Sequence, residues 1–131
     1  MKILIPVSAG ELLDKISILR IKNERIQDND KKKNIKVELD FLQEALIESE
    51  IEETICPKIF DLMCRQLKKV NEKLWIVEDE LRLLEKQNKF SSEFVNSARS
   101  VYRLNDERAR IKKKINDLSG SEIVEEKSYK G

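Results

Sequence analysis

The sequence predicts an all-α fold: an antiparallel bundle of about four long helices, paired as coiled-coil-like hairpins, in a single domain over residues 1–131. Three observations predict it. From Phe60 the apolar residues Met63, Leu67, Val70, Leu74, Val77, Leu81 and Leu84 follow in steps alternating three and four, which is a heptad seam. Charged residues make up 39% of the chain and aromatics 5%, with only three glycines and two prolines, too few turn residues for a sandwich or barrel. The breaks between apolar patterns are short, so successive helices are expected to be antiparallel neighbours.

Ile3, Leu4, Ile5 and Val7 form a short β-branched run with Pro6 inside it, which suits an edge strand or extended arm. Ser8-Ala9-Gly10-Glu11 reads as a capping box, so a first helix begins near Ala9. Its inner stripe is Leu12, Ile16, Leu19, Asn23 and Ile26, and Ile18 and Ile21 lie on a second side. A helix apolar on two sides contacts two neighbours or a second subunit. Asp28-Asn29-Asp30 offers an N-cap for a second helix from about Lys31 to Glu53, with Ile35, Leu39, Leu42 and Leu46 as its core stripe.

Pro57 fits the first position of the third helix, where its missing N–H is no loss. That helix is expected to run to about Asn88, a length of about 45 Å. Ser91 can cap a fourth helix ending at Leu118, and Phe90 can pack on Val95 as a hydrophobic staple. The fourth stripe is Val101, Leu104, Arg108, Ile111, Ile115 and Leu118, and Gly120 falls just past its end. Residues 2–7 and 122–127 would meet at one end of the bundle, where a two-stranded ribbon is possible.

Formal net charge is +1, from 26 basic and 25 acidic residues, which gives no reason to expect nucleic acid or an anionic membrane as partner. The chain has no histidine, which removes the commonest general base and the commonest metal ligand together. No metal and no cofactor is expected. Cys56 and Cys64 are too far apart along one helix for a disulfide and read as buried or half-buried thiols in a reducing compartment. MKILIPVS has no cleavage signature and is too short to span a bilayer, so a cytoplasmic location is expected.

Beside its seam the third helix carries Asn71, Trp75, Glu78, Arg82 and Glu85 on one face. The fourth carries Ala98, Tyr102, Asn105, Ala109, Lys112 and Asn116. Two such flanks could line a polar groove, with Asn71, Glu78, Arg82, Tyr102, Asn105 and Lys112 as candidate ligand-binding residues. In that groove Glu78 or Glu85 would serve as a base if burial raised its pKa, and Arg82 and Lys112 would hold an anion. The alternative is a solvated face or an interface rim, with Glu78 and Arg82 as an i,i+4 ion pair. Asn23 and Arg108 interrupt apolar stripes, where polar groups often fix register or oligomeric state. Trp75 reads as a core or interface anchor.

ILIPVSAGELLDKISIL, VNEKLWIVEDELR, VYRLNDERARIKKKIN and VEEKSY, in that order, resemble a family of short bacterial proteins of unknown function. The resemblance spans most of the chain and implies a self-contained bacterial domain, with no activity to carry over. GELLDKISILRIKNERI is loosely similar to the first helix of the all-helical chorismate mutases, but the rest of that arginine-rich pattern is missing here. The function expected first is a helical, homo-oligomeric interaction, scaffold or regulatory module, most simply a homodimer with a further protein partner. A small-ligand-binding protein or small all-α enzyme using the polar groove is the alternative. RNA binding through Lys31 to Lys33 and Lys112 to Lys114 fits least, because no aromatic residue is interleaved with those lysines.

Overall fold

The computed structural model of the protein describes residues 1–130. Among them five helices follow one another: α1 (Ala9–Arg25), α2 (Asn29–Ser49), α3 (Ile51–Thr54), α4 (Pro57–Lys86) and α5 (Ser92–Ser119). The fold of the described residues is all-α, and no helix among them is long and apolar enough to cross a membrane.

The caps read from the sequence largely form. Ser8 Oγ accepts from the Glu11 N–H at 3.0 Å. Asp28 Oδ1 accepts from the N–H groups of Asp30 and Lys31 at 2.9 and 3.1 Å. An N-cap of this kind is worth about 0.5–2 kcal/mol, so Asp28→Ala should lower the urea-melt stability by about that amount. A change of no more than a few tenths would mean that α2 does not depend on this cap. Pro57 opens α4, and Gly120 closes α5 in the left-handed region at φ 67°. Ser91 stands at the N-cap of α5, yet its side chain makes no capping bond. Phe90 meets Phe94 edge-on at 5.2 Å, and Val95 is left exposed.

The expected second helix is two. Glu50 adopts a left-handed φ of 60°, Ser49 Oγ donates to the Leu46 carbonyl at 2.6 Å, and the same oxygen accepts from the Ile51 N–H at 3.2 Å. This turn drops Ile51 and Ile55 into the core, where a continuous helix would have carried them past it. The count is therefore five helices among the described residues, rather than about four.

The arrangement is layered. α4 and α5 form the longest pairing, α1 lies against both, and α2 packs on the other side of α1. Met63, Leu67, Val70, Leu74 and Leu84 of the α4 seam are buried, as the heptad spacing predicts. Met63, Leu67 and Val70 meet Leu12, Leu13, Ile16, Ile111 and Ile115 in one core. The second side of α1 is covered in part within the chain: Ile21 is 1% exposed, while Ile18 is half-buried. Asn23, placed by its spacing in the inner stripe, is exposed instead. α1, sandwiched between α2 and the α4–α5 hairpin, is thus the central element.

The terminal ribbon does not form, and there is no strand among the described residues. The two segments leave the same corner in different directions. Residues 2–7 lie towards α2, with Lys2 Nζ 4.2 Å from the Phe41 ring centre. The C-terminal segment turns at Gly120 and runs back along α5, where Lys127 Nζ reaches the Asn105 carbonyl and Asp106, both at 3.5 Å. At the corner itself Ser8 Oγ donates to Glu125, and the Ala9 N–H to Ser121 Oγ at 3.3 Å. Side-chain bonds thus take the place of a ladder. Both thiols are free; Cys64 is half-buried as expected, with its pKa pushed up by burial, while Cys56, just outside α4, is exposed.

Candidate functional site

The site begins with a missing side chain. Gly10 lies in the first turn of α1, and its N–H donates to Asn116 Oδ1 at 2.7 Å in a buried contact. A Cβ on Gly10 would stand 2.5 Å from the Lys112 carbonyl oxygen of α5. The two helices therefore approach backbone to backbone, and residues in the first two turns of α1 come within reach of α5.

Those residues are Glu11 and Asp14. Asp14 is buried; its Oδ1 accepts from Asn71 Nδ2 at 2.9 Å, and its Oδ2 faces Lys112 Nζ at 3.8 Å and Arg108 Nε at 4.0 Å. Asn71 Nδ2 also reaches Ser17 Oγ at 3.3 Å, and Asn71 Oδ1 lies 3.5 Å from Arg108 Nη1. Lys112 is bound to Glu11, and Lys15 Nζ lies 3.6 Å from the same carboxylate. Three helices are thus joined by one polar network inside an otherwise apolar junction. No buried side-chain nitrogen or oxygen among the described residues lacks a partner. That is the condition under which a buried network specifies an arrangement rather than weakening it.

Burial pushes the Glu11 carboxyl up, but its bond to Lys112 and the charges of Lys112 and Lys15 outweigh this, so its pKa lies below the ordinary 4.5. A carboxyl depressed in the folded state stabilises the fold above its unfolded pKa, and that contribution is lost as pH falls through the folded pKa. Glu11→Gln should therefore be less stable than wild type at neutral pH. The gap should close as pH falls through and below 4.5, in melts followed by circular dichroism. A gap independent of pH would show that the ionic contact contributes nothing.

Next to the network is an open cleft of about 290 Å³ between α1, α4 and α5. Ile18, Ile21, Leu74 and Trp75 form its apolar walls; Asn71 and Arg108 lie at one end, and Lys22, Glu78 and Asp79 also line it. The Arg25 guanidinium sits 6.0 Å from the centre of the Trp75 ring. Among the described residues, no group of three or more Cys, Asp or Glu side chains is arranged to hold a metal ion.

Compared with known proteins, residues 1–131 match the sequence model of a family described as of unknown function, DUF6165. The chain belongs to this family. No curated protein and no solved structure matches it.

In this DUF6165 member the stretches that stand out in the sequence converge. GELLDK supplies Gly10, Glu11 and Asp14; VNEKLW supplies Asn71 and Trp75; NDERARIKKKIN supplies Arg108, Lys112 and Asn116; VEEKSY supplies Glu125. Of the two polar flanks expected to line a groove, Asn71 of α4 and Lys112 of α5 are brought together across α1, which lies in the trough between the flanks. Asn71 and Lys112 are drawn into the network beneath α1, and Glu78 lines the cleft beside it. Arg82 is exposed and pairs with Glu78 at 3.7 Å. Tyr102 is exposed too, its phenol held below its ordinary pKa by Arg103 and Arg99. Asn105 contributes only its carbonyl, to Lys127.

Sequence reasoning missed Gly10, Glu11, Asp14 and Ser17. A signal was present: Asp14 stands between Leu12, Leu13, Ile16 and Ile18, so a carboxylate is set among apolar residues on every side. A helix apolar all round is buried, and a charge in it needs a partner.

Proposed function

We propose that this protein is a helical interaction module that pairs with a second copy of itself through the outer half of the α4–α5 hairpin. One observation supports the reading. Arg25, the last residue of α1, lies level with Trp75, and beyond that level the hairpin carries Ile76, Leu83, Val95 and Tyr102, each more than half exposed. Ile76 and Leu83 are one heptad apart on α4, and Val95 and Tyr102 one heptad apart on α5. Each pair therefore makes a stripe rather than a scatter. Two helices alone bury one stripe each, and two such hairpins complete a four-helix bundle. Each of these side chains is worth about 1.5–3 kcal/mol when covered, and a two-fold axis covers each of them twice. The role is that of a scaffold or regulator, with the paired arms as its assembly element.

Sedimentation equilibrium at micromolar concentration tests this. The expected mass is twice that of the 15.4 kDa chain, falling back to 15.4 kDa in Ile76→Glu and Leu83→Glu with helicity unchanged. A wild-type mass of 15.4 kDa at every concentration overturns the reading.

A further inference from the structure

The charges around Asp14 do not balance. Lys15, Arg108 and Lys112 share two carboxylates, Glu11 and Asp14, so the cluster holds one cation in excess. Lys112 touches both carboxylates. Arg108 has the longest ionic contact of the three, 4.0 Å to Asp14, and its amide contact to Asn71 is long, at 3.5 Å. Its side chain is 29% exposed, and the space it opens on is the cleft walled by Ile18, Ile21, Leu74 and Trp75. An under-partnered guanidinium at one end of an apolar cleft is suited to a carboxylate, which its fork can take in two parallel hydrogen bonds.

We infer that this cleft binds a small monocarboxylate with a branched or aromatic apolar body, the carboxylate on Arg108 and the body against Leu74 and Trp75. The cleft volume of about 290 Å³ suits a metabolite-sized ligand rather than a peptide. Lys22, Glu78 and Asp79 also line the cleft, and two carboxylates against one lysine disfavour a second negative charge on the ligand, which selects a monoanion over a phosphate. Asp14 and Asn71 act as positioning residues, since both contact the guanidinium.

Trp75 is the only tryptophan of the chain, so its fluorescence reports this site alone. Phenylacetate and 4-methylpentanoate are titrated against the unaltered protein, beside phenylacetamide, 4-methylpentanamide and phenyl phosphate. The expected result is a saturable change with the acids at millimolar concentration or below. The amides and the phosphate should bind at least about tenfold more weakly. Arg108→Met should abolish the change, and Ile18→Phe, which fills the cleft without touching the network, should abolish it with the melting temperature retained. The comparison of acid with amide uses the unaltered protein and holds even if Arg108→Met fails to fold. No saturable change with either acid, or equal affinity for acid and amide, overturns the inference.

Discussion

Replacing Asp14 by alanine is expected to cost about 3–5 kcal/mol of folding stability, the range for removing one partner of a buried ionic cluster. Asp14 is 4% exposed and is the one group that faces Asn71, Arg108 and Lys112 together. Without it, Lys112 keeps Glu11, but Arg108 retains only the amide oxygen of Asn71, and Asn71 Nδ2 loses its shorter bond. Partial exposure of Arg108 and Lys112, at 29% and 18%, places the expectation towards the lower end. Asp40→Ala is the control: its pair with Lys36 is on the surface at 4.0 Å and is worth about 0–1 kcal/mol. Urea melts of the two variants decide the matter. Equal losses would mean that the network does not hold α1 in place.

Gly10→Ala should destabilise the protein by about 2–5 kcal/mol, from overpacking together with the loss of a buried hydrogen bond. In a free helix the same change would help by about 0.5–1 kcal/mol, since glycine is the more costly residue to order. Here the added Cβ would lie 2.5 Å from the Lys112 carbonyl oxygen and 2.9 Å from Asn116 Oδ1. The first of these is backbone and cannot swing aside. α1 must therefore lift from α5, and the Gly10 N–H to Asn116 bond goes with it. The clash exceeds the propensity gain, so the sign is set by packing. Gly120 makes the contrast: nothing lies within 4 Å of its Cβ position, and only its left-handed φ of 67° resists a side chain. Gly120→Ala should cost about 1–2 kcal/mol. Thermal melts that find Gly10→Ala as stable as wild type would show that α1 is not seated on α5 at this contact.

The same residues explain what could be read in advance. The seam of α4, the caps at Ser8 and Asp28, Pro57 at the head of α4 and Gly120 at the end of α5 all follow from spacings of four residues or fewer, or from one side chain and its adjacent backbone. Such signals are local, and local geometry suffices to state them. The break at Glu50 was hidden because Ser49 and Glu50 fit a helix as well as a turn, and the burial of Ile51 and Ile55 decides between the two. Of the site, Asn71, Glu78 and Lys112 were legible as polar positions flanking a seam, and Arg108 as an interruption within one. Their partners Glu11 and Asp14 lie in a helix whose own pattern concerned only its apolar stripes.

By itself, then, the sequence determined an all-α chain, which faces of its helices are apolar, and where most of them start and stop. Tertiary structure alone decided that α1 rather than α4 is central, that the trough between the polar flanks is filled by α1, and that Glu11 and Asp14 meet Lys112 and Arg108 from the other end of the chain. The physical reason is that a helical period states which side of a helix must leave water, not which neighbour will cover it. That choice rests on close approach at a single glycine, Gly10, and on charges that can be paired only after the helices have met.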